Sequence, residues 1–348
     1  MKIAVYVPGS GESLKPKFIV GTFFPLFERF PRHELLFITD KNSELKLHAQ
    51  FEVINIKPQP KNPLLKKLWI ERTLTRELKK AGANVFVSAD DFCSLNMTLP
   101  QCILMPNAEK IKPAYISKAQ LLIVTSGSEK EKLTNKFKIP ADKITVVYPS
   151  PGKNYFPVDT EKRESIKDKY SENKEYFLYN SIFRTQEDLI NLLKSFSHFK
   201  KRQQSSFKLL LITESNFSFK KSIGNYKYRD DVVVIGQVSE KENAEIIATA
   251  YAVVLPFDTY VDIAASLKAM QSGIPVITAR DSSINEVAGG AVLYGDNEIK
   301  DIGEKMMQLY KDEGLRSALI EKGKETVKNF TQEKSAADLW QSIMKVLN

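Results

Sequence analysis

The chain alternates short apolar runs with longer amphipathic stretches along its whole length. Thirteen runs of four to six residues are rich in β-branched and aromatic side chains, and between them apolar residues recur three and four positions apart, which is the helical period. Strands that are apolar on both faces and alternate with helices build parallel sheets covered on both sides. The predicted strands lie at 3–7, 35–39, 51–56, 85–88, 102–105, 121–125, 144–147, 176–179, 208–213, 232–235, 252–256, 275–278 and 290–294. The pattern predicts an α/β protein.

A segment rich in Pro and Gly, YPSPGKNYFPV at 148–158, separates the first seven predicted strands from the last six. A chain of 348 residues also exceeds what one hydrophobic core usually serves. We therefore expect two doubly wound, Rossmann-like domains that face each other across a cleft, at 1–152 and 153–330. The remaining stretch, 331–348, has the broad apolar stripe of a helix that packs back toward the first domain.

Composition narrows the class of partner. Lys and Arg outnumber Asp and Glu by 51 to 42, so the formal charge of +9 favours anionic ligands. Zinc-ligand spacing, a recognition-helix pattern and RNA-binding aromatic strands are all missing from the sequence, so we expect no nucleic-acid partner. Two cysteines, Cys93 and Cys102, are too few for a disulfide framework and fit a reducing cytoplasm. No apolar run approaches the roughly 20 residues that span a bilayer.

A basic stretch, 57–80, has two interpretations. Its eight Lys and Arg residues surround five leucines and Trp69, so the helix is either half core and half solvated or a peripheral contact with anionic lipid at the inner membrane face.

Several segments of the second half occur in the order of a known family. They are VVVIGQVSEKENAEII, AYAVVLPF, LKAMQSGIPVITA, INEVAGGAVLYGD and LRSALIEKGKETVKNFTQEKSAADLW. This order resembles the group 1 (family 4-type) glycosyltransferases of the GT-B fold. The resemblance implies a retaining transfer of sugar from a nucleotide sugar, which is a substrate, without a cofactor and without a metal. It also implies a glycan, a lipid-linked molecule or a small molecule as acceptor.

The resemblance implies a basic pair that grips the donor diphosphate after the first strand of the second domain. In YNSIFRTQEDL, Asn180 and Thr185 stand where Arg and Lys are usual, and Arg184 lies beside them. Guanidinium groups stabilise charge that develops on a leaving diphosphate. We therefore predict that Arg184 is catalytic and that Asn180 contacts the donor.

The family's two donor-site glutamates are replaced in this chain. The matching positions are Tyr260 and Lys268, and Asp258 and Asp262 flank Tyr260 at two residues on either side. We predict that Asp262 is catalytic, that Asp258 and Tyr260 lie at the donor, and that Lys268 meets an anion.

Backbone amides and small residues complete the implied donor site, because helix N-termini and glycine turns bring amides close to phosphate. The predicted donor-binding residues of this kind are Ile263 and Ala264 at a helix start, Gly236, Gln237 and Val238 in the turn after a strand, and Gly9, Ser10 and Gly11 after the first strand.

Two alternatives remain open. The missing glutamates and the depleted basic pair are also typical of a catalytically weak or inactive glycosyltransferase-like binding or partner subunit. An unrelated two-domain sugar-phosphate enzyme is the third hypothesis.

Overall fold

The structure is a computed structural model of the chain. It describes residues 1–7, 22–23, 32–39, 51–56, 60, 62–105, 107–212, 223–236, 238–257, 259, 262–280, 282–296 and 299–347. The described residues divide into two compact units, Met1–Pro149 with Gln332–Asn348, and Ser150–Thr331. We call them unit 1 and unit 2.

Unit 1 contains a seven-stranded parallel sheet in the order β3-β2-β1-β4-β5-β6-β7 in its described part. Its strands are β1 Lys2–Val7, β2 Glu34–Thr39, β3 Glu52–Asn55, β4 Val85–Ser88, β5 Gln101–Leu104, β6 Leu121–Val124 and β7 Ile144–Val146. Its described helices are α1 Pro63–Leu68, α2 Thr75–Lys80, α3 Pro113–Lys118, α4 Gly127–Phe137 and the C-terminal helix, which is Gln332–Leu347. A π-helical segment, Trp69–Leu74, joins α1 to α2.

Alternate residues of β1 bury themselves on opposite faces of this sheet, as the two-residue period of a strand requires. Ile3 and Val5 lie in a core with Leu339 of the C-terminal helix. Ala4 and Tyr6 lie in a second core with Trp69. The C-terminal helix and the π-helical segment thus cover the two faces of the same strand.

Unit 2 contains a six-stranded parallel sheet in the order β10-β9-β8-β11-β12-β13 in its described part. Its strands are β8 Tyr176–Asn180, β9 Lys208–Ile212, β10 Val232–Ile235, β11 Ala252–Leu255, β12 Val276–Ala279 and β13 Val292–Gly295. Its described helices are α5 Thr160–Ser171, α6 Gln186–Gln203, α7 Glu240–Thr249, α8 Asp262–Gln271, α9 Asn285–Ala288, α10 Ile299–Lys311 and α11 Glu313–Val327. The C-terminal helix of unit 1 is α12.

Register and packing in unit 2 place α8 beside the middle of the sheet. Tyr176 of β8 pairs with Lys208 of β9, and Phe177 pairs with Ala252 of β11. Helix α8 contacts β11, β12, α7 and α11. It ends at Gly273, whose φ of +71° is a left-handed conformation that side chains disfavour.

Candidate active site at the strand reversal of unit 2

The sheet of unit 2 reverses its strand order between β8 and β11. From β8 the chain moves outward to β9 and β10, and from β11 it moves outward on the other side to β12 and β13. Crossover helices then lie on opposite faces, and a crevice opens at the carboxyl ends of the two central strands. We call the residues around these ends the switch-point site; they are Tyr155, Asn180, Ser181, Asn243, Thr259, Asp262 and Lys268.

Asp262 joins the two strand ends. It is the first residue of α8 and is fully buried. Its Oδ2 accepts the Thr259 backbone N–H at 2.8 Å, and its Oδ1 accepts the Thr259 hydroxyl at 2.6 Å and the Ser181 hydroxyl. These hydrogen bonds connect Thr259, which follows β11, with Ser181 at the end of β8. A catalytic role requires contact with the sugar, whereas this geometry favours a positioning role; the catalytic role predicted for Asp262 stays a prediction.

A second set of contacts runs from the end of β8 to the middle of α8. The Asn180 side-chain amide donates to Oδ1 of Asn243 at 2.9 Å, and the Asn243 amide donates to the Tyr155 hydroxyl at 3.1 Å. The Lys268 ammonium lies over the Tyr155 ring, 4.7 Å from its centroid. Three contacts therefore connect Asn180 with Lys268, two residues that the sequence predicts at the donor.

Lys268 has an unusual environment for a lysine. Within the described parts of the chain its ammonium makes no hydrogen bond and no ion pair, and the Tyr155 ring is its only recorded partner. Burial lowers the pKa of Lys268, because removal from water disfavours the charged form, and Glu240 at the start of α7 opposes this shift from a distance. An ammonium in this state gains more from an anionic ligand than a solvated one would.

Arg184 and Thr185 open α6. Thr185 is the N-cap, and Asp188 accepts the backbone N–H groups of both residues, at 3.0 and 3.1 Å. The Arg184 Nε is 3.7 Å from the Asp188 carboxylate, and 57% of the arginine side chain is exposed. Arg184 is therefore free to turn toward a ligand, while Thr185 serves the helix end, where a hydroxyl is favoured.

The remaining predicted residues fall into two groups. Ile263 is buried and Ala264 is half-buried in the first turn of α8, where backbone N–H groups lack helical acceptors. Gly236 follows β10 and is exposed, and Val238 precedes Ser239, the N-cap of α7. The predicted residues that lie outside the described parts of the chain are Gly9, Ser10, Gly11, Gln237, Asp258 and Tyr260.

The structure excludes one kind of nucleophile. Cys93 and Cys102 are both buried, and burial raises the pKa of each thiol to about 12. Neither cysteine is a thiolate at neutral pH. In the described residues no group of three His, Cys, Asp and Glu side chains is arranged to hold a metal ion. A metal-independent reaction stays a prediction.

Sequence reasoning missed four members of the switch-point site. Tyr155 and Asn243 carry no local signal, because Tyr155 is 88 residues from its hydrogen-bond partner. Ser181 and Thr259 carried a signal in the sequence, because each is a small hydroxyl residue in the connection that follows a predicted strand.

Known proteins resemble this chain in sequence and in fold. The sequence pattern of the family described as Glycosyl transferases group 1 matches residues 161–326. O-antigen chain mannosyltransferase B of Escherichia coli is 22% identical over 242 residues, which are 65% of this chain and 60% of that relative.

Two solved structures resemble the whole chain. HepE of Anabaena, crystallised with UDP and glucose, has a TM-score of 0.78 and 11% identity, with coverage of 99% of this chain and 100% of that one. A glycosyltransferase of Rickettsia africae has a TM-score of 0.76 and 15% identity, with coverage of 100% and 98%. Residues 161–326 of unit 2 therefore match the group 1 glycosyl transferase family, and the chain has the fold of the GT-B glycosyltransferases.

Proposed function

We propose that the chain transfers a sugar from a nucleotide-sugar donor to a lipid-linked glycan, with retention of the anomeric configuration. The observation that carries this proposal is the switch-point site, which gathers a half-buried ammonium, a carboxamide and a helix N-terminus at one strand reversal inside or beside the region that matches the family. The likeness of fold to HepE of Anabaena, crystallised with UDP, supports UDP as the first nucleotide to test.

Each group has a role in this proposal. Arg184 neutralises charge that develops on the leaving diphosphate, because a guanidinium is cationic at every physiological pH. The first-turn amides of Ile263 and Ala264 donate to donor oxygens. Asp262 holds Thr259, which follows β11, and Gly236 and Val238 contact the base.

The donor is tested by thermal unfolding with UDP-, GDP- and ADP-sugars. A ligand that binds only the folded chain raises the melting temperature. We expect one nucleotide class to stabilise the protein, and the product's anomeric configuration is then read by proton NMR.

Arg184 has a matched control in the same unit. The Arg229 side chain is also 57% exposed, and its Nε is also 3.7 Å from an aspartate, Asp230. We expect Arg184→Ala to lower kcat roughly a hundredfold, as loss of a charge-stabilising donor does, and Arg229→Ala to leave kcat unchanged. Equal effects of the two substitutions contradict the role proposed for Arg184.

A partner subunit without transferase activity remains the second candidate, because Tyr260 and Lys268 replace the carboxylates implied by the family resemblance. A well-folded sample that no nucleotide stabilises supports this second function over the first.

Helix α1 supports a lipid-linked acceptor. Leu64, Leu65 and Leu68 are 75%, 53% and 50% exposed, and Lys66 and Lys67 lie between them. The π-helical segment that follows turns Trp69 into the core, so the tryptophan predicted at the lipid contact does not reach it. We propose that these leucines enter an anionic lipid surface while Lys67, which is exposed, meets its headgroups. In the described residues no helix is long and apolar enough to cross a membrane.

Vesicle sedimentation tests this contact. We expect the protein to bind vesicles that contain phosphatidylglycerol and to lose binding in a Leu64→Ser, Leu68→Ser variant. Phe156→Ser is the matched control, because Phe156 is an equally exposed apolar residue of unit 2, at 59%. Equal binding by all three proteins contradicts the membrane proposal without touching the donor site.

A further inference from the structure

The Lys268 ammonium is held by the protein without being neutralised by it. A ring face attracts a cation but carries no charge that neutralises it. In the described residues no carboxylate lies within ion-pair distance of Lys268. An anionic ligand would supply the negative charge that the described residues do not place beside the Lys268 ammonium.

The Tyr155 ring is held in one position by burial and by hydrogen bonds. It is 1% exposed, and its hydroxyl accepts the Asn243 amide. The segment before it is tied to α8, because the Gln271 side-chain amide donates to the Gly152 carbonyl at 2.9 Å. The ring that holds Lys268 is thus attached to the same helix that carries Lys268.

The hydrogen bond to Asn243 fixes which way the side-chain amide of Asn180 points. Since the Asn180 amide nitrogen donates to Asn243, its Oδ1 points away from that bond and can accept from a ligand. One hydrogen-bond chain therefore sets both a cation and an acceptor at the switch-point site.

We propose that Tyr155 and Asn243 are positioning residues, which hold the Lys268 ammonium and the Asn180 carboxamide for one ligand whose anionic oxygens bind Lys268. This inference rests on the proposed function and names the chemistry that its site recognises. The anionic oxygens are either the phosphates of a nucleoside diphosphate or the carboxylate of an acidic sugar on that nucleotide.

Calorimetric titration of the full chain distinguishes the two sources. The ligands are uridine, UDP, UDP-glucose, UDP-glucuronate and inorganic pyrophosphate. If Lys268 binds phosphate, Lys268→Met weakens UDP and pyrophosphate roughly 10- to 100-fold, as loss of a charge-assisted hydrogen bond does, and leaves uridine unchanged. If it binds a sugar carboxylate, only UDP-glucuronate loses this affinity. Lys227→Met is the matched control, because Lys227 lies 5.3 Å over the Tyr228 ring elsewhere in unit 2.

Tyr155 is tested through a double-mutant cycle, since a residue that acts through another loses its effect when the other is gone. We expect Tyr155→Leu to weaken the charged ligand about tenfold in the wild-type background and not at all in the Lys268→Met background. Tyr155→Phe keeps the ring and so keeps the Lys268 effect. Asn243→Ala should show the same dependence on Asn180, with Asn180→Ala as its partner in the cycle. Melting temperatures of the variants identify any that do not fold.

Three results overturn the inference. They are equal losses for uridine and UDP, an unchanged affinity of Lys268→Met for every anionic ligand, and a full Tyr155→Leu effect in the Lys268→Met background. If the wild-type chain binds no nucleotide, the proposed function fails, and the inference is then decided on pyrophosphate alone: a loss in Lys268→Met supports it, and no binding or no loss overturns it.

Discussion

Two charged residues of helix α8, Asp262 and Lys268, differ in how the protein satisfies their charges. Asp262, at its first residue, receives three hydrogen bonds from its own unit. Lys268, less than two turns later, rests on a ring and has no ion-pair partner in the described residues. A charged side chain whose hydrogen bonds are made within the protein stabilises the fold. One without such partners gains more from binding an ion of opposite charge. We therefore assign a structural role to Asp262 and a ligand-binding role to Lys268.

The largest expected effect is the loss of Asp262. In Asp262→Ala, the Thr259 backbone N–H loses its carboxylate acceptor and the Ser181 and Thr259 hydroxyls, 3.1 Å apart, keep only each other, so the free energy of unfolding should fall by about 2–3 kcal/mol. Urea unfolding followed by circular dichroism measures it. Lys268→Met, on the same helix, is the control that should show no such fall. A loss under about 0.5 kcal/mol in Asp262→Ala would mean that the carboxylate is not structural and would favour its catalytic role.

The sequence predicts the strands of both units well and some of the helices not at all. All thirteen predicted strands are confirmed within two residues, because strands buried on both faces have continuous apolar runs that few other structures share. The parallel α/β architecture follows from their order and is confirmed. Helices such as Pro113–Lys118 and Thr160–Ser171 were not predicted, since the first is short and the second has only two buried positions to mark its face.

The site was harder to predict than the sheet. The sequence placed Asp262 and Lys268 at the donor site, since both stand at or near positions implied by the family resemblance. It could not show that Asp262 has hydrogen-bond partners within the protein and that Lys268 lacks an ion pair. Whether a charge is satisfied depends on Ser181, Tyr155 and Asn243, which reach α8 through the tertiary fold and leave no periodic signal in the chain.

The second expected effect separates the donors of the Asp262 cluster. Ser181→Ala removes the hydrogen bond to Asp262 and the contact with the Thr259 hydroxyl, and it should lower the free energy of unfolding by about 0.5–1.5 kcal/mol. In the Asp262→Ala background the same substitution should cost less, because only the contact with Thr259 is left to lose. Additive losses in the double variant would show that Ser181 stabilises the strand end by packing and not through Asp262.

The smallest effect is expected at Lys268, and its sign is opposite. Lys268→Met removes a desolvated charge and keeps the volume of the stem, so stability at neutral pH should rise by about 0.5–1 kcal/mol.

The pH dependence of stability tests whether the lowered pKa of Lys268 is the cause. Because burial lowers the pKa of Lys268 in the folded chain, the unfolded chain binds more protons between that pKa and the ordinary lysine value of about 10.4. Wild-type stability therefore recovers as pH rises through this window, and the advantage of Lys268→Met should be full below it and shrink within it. An advantage that grows with pH would show that Lys268 gains a partner in the fold, and the contrast between Asp262 and Lys268 would then fail.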